Sequence, residues 1–272
     1  MKGKKSNIVI YILLVILAVI FLAPIFIILF NSFKGKLYIS DAPFKLPTAE
    51  TFVGVQNYID GLSKTGFLSA FGWSIFITFF STIVIVLFTS MTGWYITRAK
   101  NKVSTVLYFI FVFSMIVPFQ MVMFTMSKVA NMLSLDNPIG LIVLYLGFGA
   151  GLSIFMFSGF VKSIPIDIEE AALIDGCNPI KTFFLIVLPL LKPICITVAI
   201  LNVMWIWNDY LLPSLVLKSD YKTIPMAVQY LRGGYGAIDM GAMMAVLVLA
   251  IIPIIIFYLT CQKYIIEGVA AG

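Results

Sequence analysis

Histidine is absent from this sequence, and only three cysteines occur, Cys177, Cys195 and Cys261, none in a C-x-x-C spacing. Zinc sites, histidine-based acid–base chemistry and a disulfide framework lose their usual side chains, and reduced or buried thiols are the simple reading. Charge is scarce as well. Only 11% of the residues are Asp, Glu, Lys or Arg, against about a quarter in an ordinary soluble domain. The polar residues gather in short connections, never in a block long enough to cover a soluble core. A G-x-x-x-x-G-K-[ST] phosphate loop is missing too, so the sequence carries no means of handling ATP itself.

What fills the space is apolar: 61% of the 272 residues are hydrophobic. A spanning helix needs about 20 mostly apolar residues. Stretches free of charge at 6–33, 65–97, 103–127, 137–161 and 240–262 meet that need, and a sixth lies between Lys181 and Asp209, interrupted only by Lys192, whose stem can snorkel to the interface. The pattern predicts an all-α integral membrane protein with spans over about 8–30, 71–97, 104–127, 138–160, 190–210 and 242–262, in one membrane domain over 1–272 whose core bundle covers about 69–262. The first apolar run, Ile8 to Phe30, is longer than a secretory h-region of about 7–15 residues and reads as a retained helix.

Basic residues orient these spans. With the N-terminus inside, ten Lys and Arg fall in short inner segments, and eight spread over outer segments roughly twice as long. Both termini are therefore expected in the cytoplasm of a multi-pass protein in the cell membrane, its spans facing lipid. The net charge of +6 is scattered along span rims and does not indicate a nucleic-acid partner. Asn137-Pro138 and Asn178-Pro179 each read as an N-cap followed by proline at the first helical position.

The most informative segment joins the fourth and fifth spans. Pro165 opens a short helix, Asp167, Glu169 and Glu170 fall in its first turns where carboxylates suit the positive dipole end, and Gly176 stops it. Asn178-Pro179 starts a second helix at once. The expected product is a helix–turn–helix projection over about 165–180, with small Ala171 and Ala172 beside Glu169 and Glu170. On physical grounds a docking surface and a plain connector both remain open, although a connector needs no ordered helix with an acidic edge.

Within the spans, Gln120 and Asn202 are amides that lipid cannot satisfy, so each either bonds between helices or lines a pathway. Asn208 and Asp209 lie at the outer end of the fifth span. Pro118 and Ser153 read more simply as a kink and a core polar group. Trp73, Tyr145, Trp205 and Tyr210 are weaker pathway candidates. The glycines of the run Arg232-Gly-Gly-Tyr-Gly236 permit an exposed turn that carries Tyr235.

Glu170-Ala-Ala, three residues, Gly176, nine residues and Ile186-Val-Leu188-Pro189 match every position of the EAA motif of ABC importer permeases. Ile164-Pro165, Ile174-Asp175-Gly176, Leu188-Pro-Leu-Leu-Lys-Pro193 and Trp207-Asn-Asp-Tyr-Leu-Leu-Pro213 resemble the maltose-type carbohydrate branch, over essentially residues 8–268. The resemblance implies a six-transmembrane-helix type I importer permease with a cytoplasmic coupling-helix loop. It implies that Glu169, Glu170, Ala171, Ala172, Asp175 and Gly176 couple to an ATPase, with Glu170 meeting a basic residue there. It further implies a second permease subunit, a cytoplasmic ATPase dimer that carries the ATP and Mg, an extracellular solute-binding protein and a carbohydrate substrate, with no cofactor or catalysis on this chain. Gln120, Asn202, Asn208 and Tyr235 are the expected pathway residues. The same scaffold carries importers of glycerol phosphate. A secondary transporter would instead place carboxylates or a histidine relay within the spans, and none lies there.

Overall fold

The computed structural model describes residues 2–231 and 239–270, with side chains left aside at 2–7, 230 and 265–270. Among the described residues the regular structure is helical, with a single isolated antiparallel bridge between Lys34 and Phe52. The fourteen α-helices are α1 (Lys2–Asn31), α2 (Lys36–Asp41), α3 (Gln56–Thr65), α4 (Phe67–Arg98), α5 (Lys102–Ser114), α6 (Phe119–Met132), α7 (Pro138–Val161), α8 (Asp167–Ile174), α9 (Pro179–Thr182), α10 (Leu188–Leu190), α11 (Lys192–Asn208), α12 (Leu211–Val216), α13 (Ile224–Tyr230) and α14 (Met240–Ala270). Among the described residues, four helical segments are long and apolar enough to cross a membrane, Ile8–Asn31, Phe67–Arg98, Pro138–Val161 and Met240–Tyr264, and two bent pairs bring the total to as many as six.

The first bent pair departs from the sequence expectation. Where one helix is predicted over 104–127, the chain turns by 105° between α5 and α6. Pro118 has no N–H to return to the carbonyl of Ser114, and it disfavours helical geometry at Val117. The last turn of α5 tightens accordingly, with Met115 donating to Val112 and Ile116 to Phe113. Pro118 itself is extended, with φ −62° and ψ 136°, so this is a break and not a kink. The fifth span lies in α11, within two residues of the expected 190–210, and the helix begun at Pro179 runs on to Leu190 before the chain bends by 77° into it. Between α9 and α10 lies a π-helical turn, Phe183–Val187. Such turns arise where the i→i−4 ladder is interrupted, and Pro189, lacking an N–H, interrupts it here.

The chain forms two compact units, residues 1–70 with 227–255, and residues 71–226 with 256–272. In the first, the most apolar stretch of Ile8–Asn31 holds no residue buried by the chain, as suits a lipid-facing helix. After it, Lys34 is almost fully enclosed, at 1% exposure. Its ammonium donates to Asn31 Oδ1 at 3.1 Å and to the carbonyls of Ala42 and Lys45 at 2.7 and 2.8 Å. Asn57 closes the same knot by donating to the carbonyls of Ser32 and Lys34, both at 2.8 Å.

The second unit is organised on α7, whose buried residues run along its whole length. One core cluster joins Ile77 and Ile85 of α4, Leu141 and Tyr145 of α7, Ile206 of α11 and Leu212 of α12. Another joins Phe157 and Val161 of α7 to Ile164, Phe183, Val187, Leu191 and Val198. This second cluster seats the loop after α7 on the bundle. Asn137 caps α7 by accepting from the N–H groups of Ile139 and Gly140, as the Asn-Pro pair predicts.

Candidate coupling site

Helix α8 starts at Asp167, two residues after the Pro165 expected to open it, with Ile166 at its N-cap. Asp167, Glu169 and Glu170 occupy the first turn, and Gly176 takes φ +83° just beyond the end, a left-handed conformation that only glycine adopts without strain. Asn178 then accepts from the N–H of Lys181 at 2.9 Å and caps the next helix. The loop over 163–190 is therefore an ordered helix–turn–helix.

The two adjacent glutamates have different environments. A helix turns about 100° per residue, so adjacent side chains point in different directions. Glu169 points into the bundle and is 6% exposed. Its Oε1 accepts from Arg98 Nε at 3.0 Å and Nη2 at 2.8 Å, and its Oε2 accepts from Trp94 Nε1 at 2.9 Å. Arg98 Nη2 also donates to the carbonyl of Ile164 at 2.9 Å. The last turn of α4 thus grips the first turn of α8 and the residue run leading into it. Charge-assisted bonds of this kind are roughly twice as strong as neutral ones, and the planar fork of arginine holds a direction that lysine does not.

Glu170, Ala171, Asp175 and Gly176 are exposed, while Ala172 is buried against the bundle. Exposed apolar side chains accompany them: Leu173 is 53% exposed, Ile174 86% and Ile180 66%. The free surface of the loop is an acidic edge beside apolar side chains, which is what a protein partner desolvates. Beneath it lies a cavity of about 270 Å3 lined by Trp94, Arg98, Ile166, Glu169, Glu170, Leu173, Pro179 and Thr182. The Thr182 hydroxyl is buried with no hydrogen-bond partner among the described residues.

The predicted pathway residues do not gather in one place. Asn202 is buried in α11, donating to Ser153 Oγ at 3.3 Å and to the carbonyl of Val198 at 2.8 Å. Gln120 is exposed at the start of α6, and Asn208 is exposed with its amide donating to the carbonyl of Met204 at 2.7 Å. Tyr235, with the run Arg232 to Gly236, lies outside the described residues. Tyr145 is fully buried and donates to Asp209 Oδ2 at 3.0 Å. Asp209 Oδ1 in turn accepts from the N–H groups of Leu211 and Leu212 at 2.9 and 3.4 Å. The Trp-Asn-Asp-Tyr run is thus a corner in which Asp209 caps α12 and ties it to α7.

Sequence reasoning missed Arg98 and Trp94. One signal was available: only two of the eighteen basic residues are arginine. Where lysine supplies the charge at span ends, an arginine marks a place that needs a bidentate donor.

Residues 87–270 match the family described as binding-protein-dependent transport system inner membrane component. The probable starch degradation products transport system permease protein AmyC of Thermoanaerobacterium thermosulfurigenes is 39% identical over 259 residues, covering 95% of this chain and 93% of that one. The multiple sugar-binding transport system permease protein MsmG of Streptococcus mutans is 34% identical, covering 96% and 95%. The melibiose/raffinose/stachyose import permease protein MelC of Bacillus subtilis is 30% identical, covering 98% and 96%. A crystal structure of a bacterial ABC transporter involved in the import of the acidic polysaccharide alginate contains a chain of the same fold, with a TM-score of 0.79, 24% identity and coverage of 97% and 98%. Matched over more than half its length by that family and over nearly all of it by these relatives, the chain belongs to the binding-protein-dependent transport system inner membrane components, as a multi-pass, non-catalytic permease subunit.

Proposed function

We propose that this chain is one of two permease subunits of an ATP-driven, binding-protein-dependent importer of carbohydrate, and that α8 with the turn at Gly176 is the element its ATPase grips. The relatives whose names speak of starch degradation products, multiple sugars and raffinose support the carbohydrate class. The anchoring of α8 through Glu169 carries the coupling role. A helix that transmits motion must be free on one face and rigidly held on the other. Here Glu170, Ala171, Leu173 and Ile174 are free, and Glu169 is held by Arg98 and Trp94.

ATP and Mg are bound by the partner ATPase dimer, on the cytoplasmic side with both termini of this chain, and a solute-binding protein delivers the sugar from outside. Closure of the ATPases draws α8 with it, and the guanidinium fork passes that displacement into α4. The bundle formed with the second permease then alternates between inward and outward access. Glu170 supplies the charge that a basic residue of the ATPase meets, and Asp175 lies beside the turn.

The test is Glu170→Lys in the complete importer reconstituted in vesicles. A reversed charge at a desolvated contact costs about 2–5 kcal/mol, so sugar-stimulated ATP turnover and uptake should both collapse while membrane insertion of the chain persists. Undiminished uptake would exclude α8 from the contact.

A further inference from the structure

The hydrogen bonds of Asn31 and Lys34 fix the place of a turn that lies well beyond them in the chain. Asn31, the last residue of α1, donates through Nδ2 to the carbonyl of Ile27 at 2.8 Å and to that of Pro43 at 2.7 Å. The Lys34 ammonium holds the carbonyls of Ala42 and Lys45, on either side of Pro43 and Phe44. The turn itself is closed by the Lys45 N–H, which donates to the Ala42 carbonyl at 3.2 Å. Three carbonyls of residues 42–45 are therefore pinned to the end of α1.

The depth of that end follows from the span. A helix rises about 1.5 Å per residue, so the 24 residues of Ile8–Asn31 cover about 36 Å, against a hydrocarbon core of about 30 Å. Asn31 thus stands where acyl chains give way to headgroups, and the pinned turn stands with it. An ammonium enclosed by carbonyls suits such a place, where water is scarce.

Phe44, at the tip of the turn, is 78% exposed and Leu46 is 70% exposed, with exposed Lys45 between them. On α2, which leads into the turn, Leu37 is 72% and Tyr38 45% exposed. In water such a set would be an apolar patch of the kind that marks an interaction site. The headgroup layer takes up this mixture directly: aromatic and aliphatic groups enter the acyl boundary, while an ammonium on a flexible stem reaches phosphate. A protein surface laid over Phe44 and Leu46 would have to desolvate Lys45 as well and supply a carboxylate for it. Lipid needs no such match.

We propose that the turn over 42–46 is an interfacial anchor, seating Phe44 and Leu46 in the headgroup and acyl boundary of the leaflet that α1 reaches at Asn31, with Lys45 on lipid phosphate. The Lys34 knot is the device that holds it at that depth. An apolar helix whose surface the chain leaves unburied has little of its own to stop it sliding or tilting, and an anchor at its end supplies the stop. The proposal depends on α1 crossing the membrane and not on what the importer carries.

The experiment uses the complete importer, with Cys177, Cys195 and Cys261 replaced by serine, in vesicles of phosphatidylethanolamine and phosphatidylglycerol. A nitroxide is attached at Phe44→Cys or Leu46→Cys. Its collision rates with oxygen, which concentrates in lipid, and with a water-soluble nickel chelate are compared, and depth is calibrated on nitroxide-bearing lipids. Oxygen should dominate at both positions, at a depth of about 5–10 Å into the headgroup and acyl boundary. Adding Lys34→Met should move the nitroxide at 44 toward water, and an unchanged depth there would overturn the part assigned to Lys34. With Lys34 in place, dominance of the nickel chelate would set the turn in water and overturn the anchor. Weak collision with both reagents would reveal a second protein chain over the turn, and would overturn it equally.

Discussion

Two buried charges in this chain are satisfied by opposite means. Glu169 meets a formal counter-charge, Arg98, in a pair whose side chains are 19% and 8% exposed. Lys34, more deeply enclosed, meets no carboxylate among the described residues, and its ammonium is held by two backbone carbonyls and the Asn31 side chain. Burial pulls the Lys34 pKa below its ordinary 10.5. The carbonyls around Lys34 belong to one continuous stretch of chain, so the cation organises local backbone. Arg98 and Glu169 are 71 residues apart, so their pair fastens two elements that the chain does not otherwise connect. One charge shapes a segment, and the other fastens α8 to the bundle.

That contrast can be broken by mutation. The largest effect is expected from Arg98→Ala, which leaves Glu169 buried and unpaired at a cost of about 3–5 kcal/mol. Hydrogen exchange should accelerate across 164–174, and ATP turnover should lose its response to sugar. Rescue of coupling in the double variant Arg98→Met with Glu169→Leu would show that packing alone suffices and that the ionic fork is dispensable. Lys34→Met should cost less, about 1–3 kcal/mol for acceptors left unsatisfied, seen as a lower melting temperature and faster exchange across 32–58. Coupling should survive it; an uncoupled Lys34→Met transporter would erase the distinction between the two charges.

The smallest effect sharpens the comparison on an exposed pair. Lys64 and Asp239 lie 2.6 Å apart, with side chains 49% and 26% exposed. The hydrogen bond to Asp239 raises the Lys64 pKa above 10.5. For Asp239, burial pushes upward, but the bond to Lys64 and the Ala242 N–H outweigh it, and the carboxyl ends below its ordinary 3.8. The stabilisation through Asp239 is present above 3.8 and fades as pH falls through the lowered value. That through Lys64 is present below 10.5 and fades as pH rises through the raised one. Asp239→Asn should therefore lower stability by under about 1 kcal/mol at neutral pH, and the melting temperatures of variant and parent should converge in strong acid.

Much of this was legible in the residue order because its causes are local. Unbroken apolar runs mark the spans, Asn137 and Asn178 before proline mark two helix starts, and Gly176 marks a helix end whose left-handed turn no other residue makes cheaply. Pro118 and Pro189 were visible as well, but not the size of what they cause. Whether a proline kinks a membrane helix or breaks it by 105° depends on what its neighbours offer the freed carbonyls.

The sequence by itself therefore determined an all-helical membrane chain and an acidic, small-residue helix in the loop between the fourth and fifth spans, since hydropathy, capping and motif spacing act over a few residues. Tertiary structure alone decided that Glu169 is consumed internally while Glu170 stays free. The reason is geometric: one helical step separates their faces, and only the packing of α4 against α8 fixes which face meets Arg98 and Trp94. The same holds for Asn202, whose two amide hydrogens are committed to Ser153 of α7 and to its own helix.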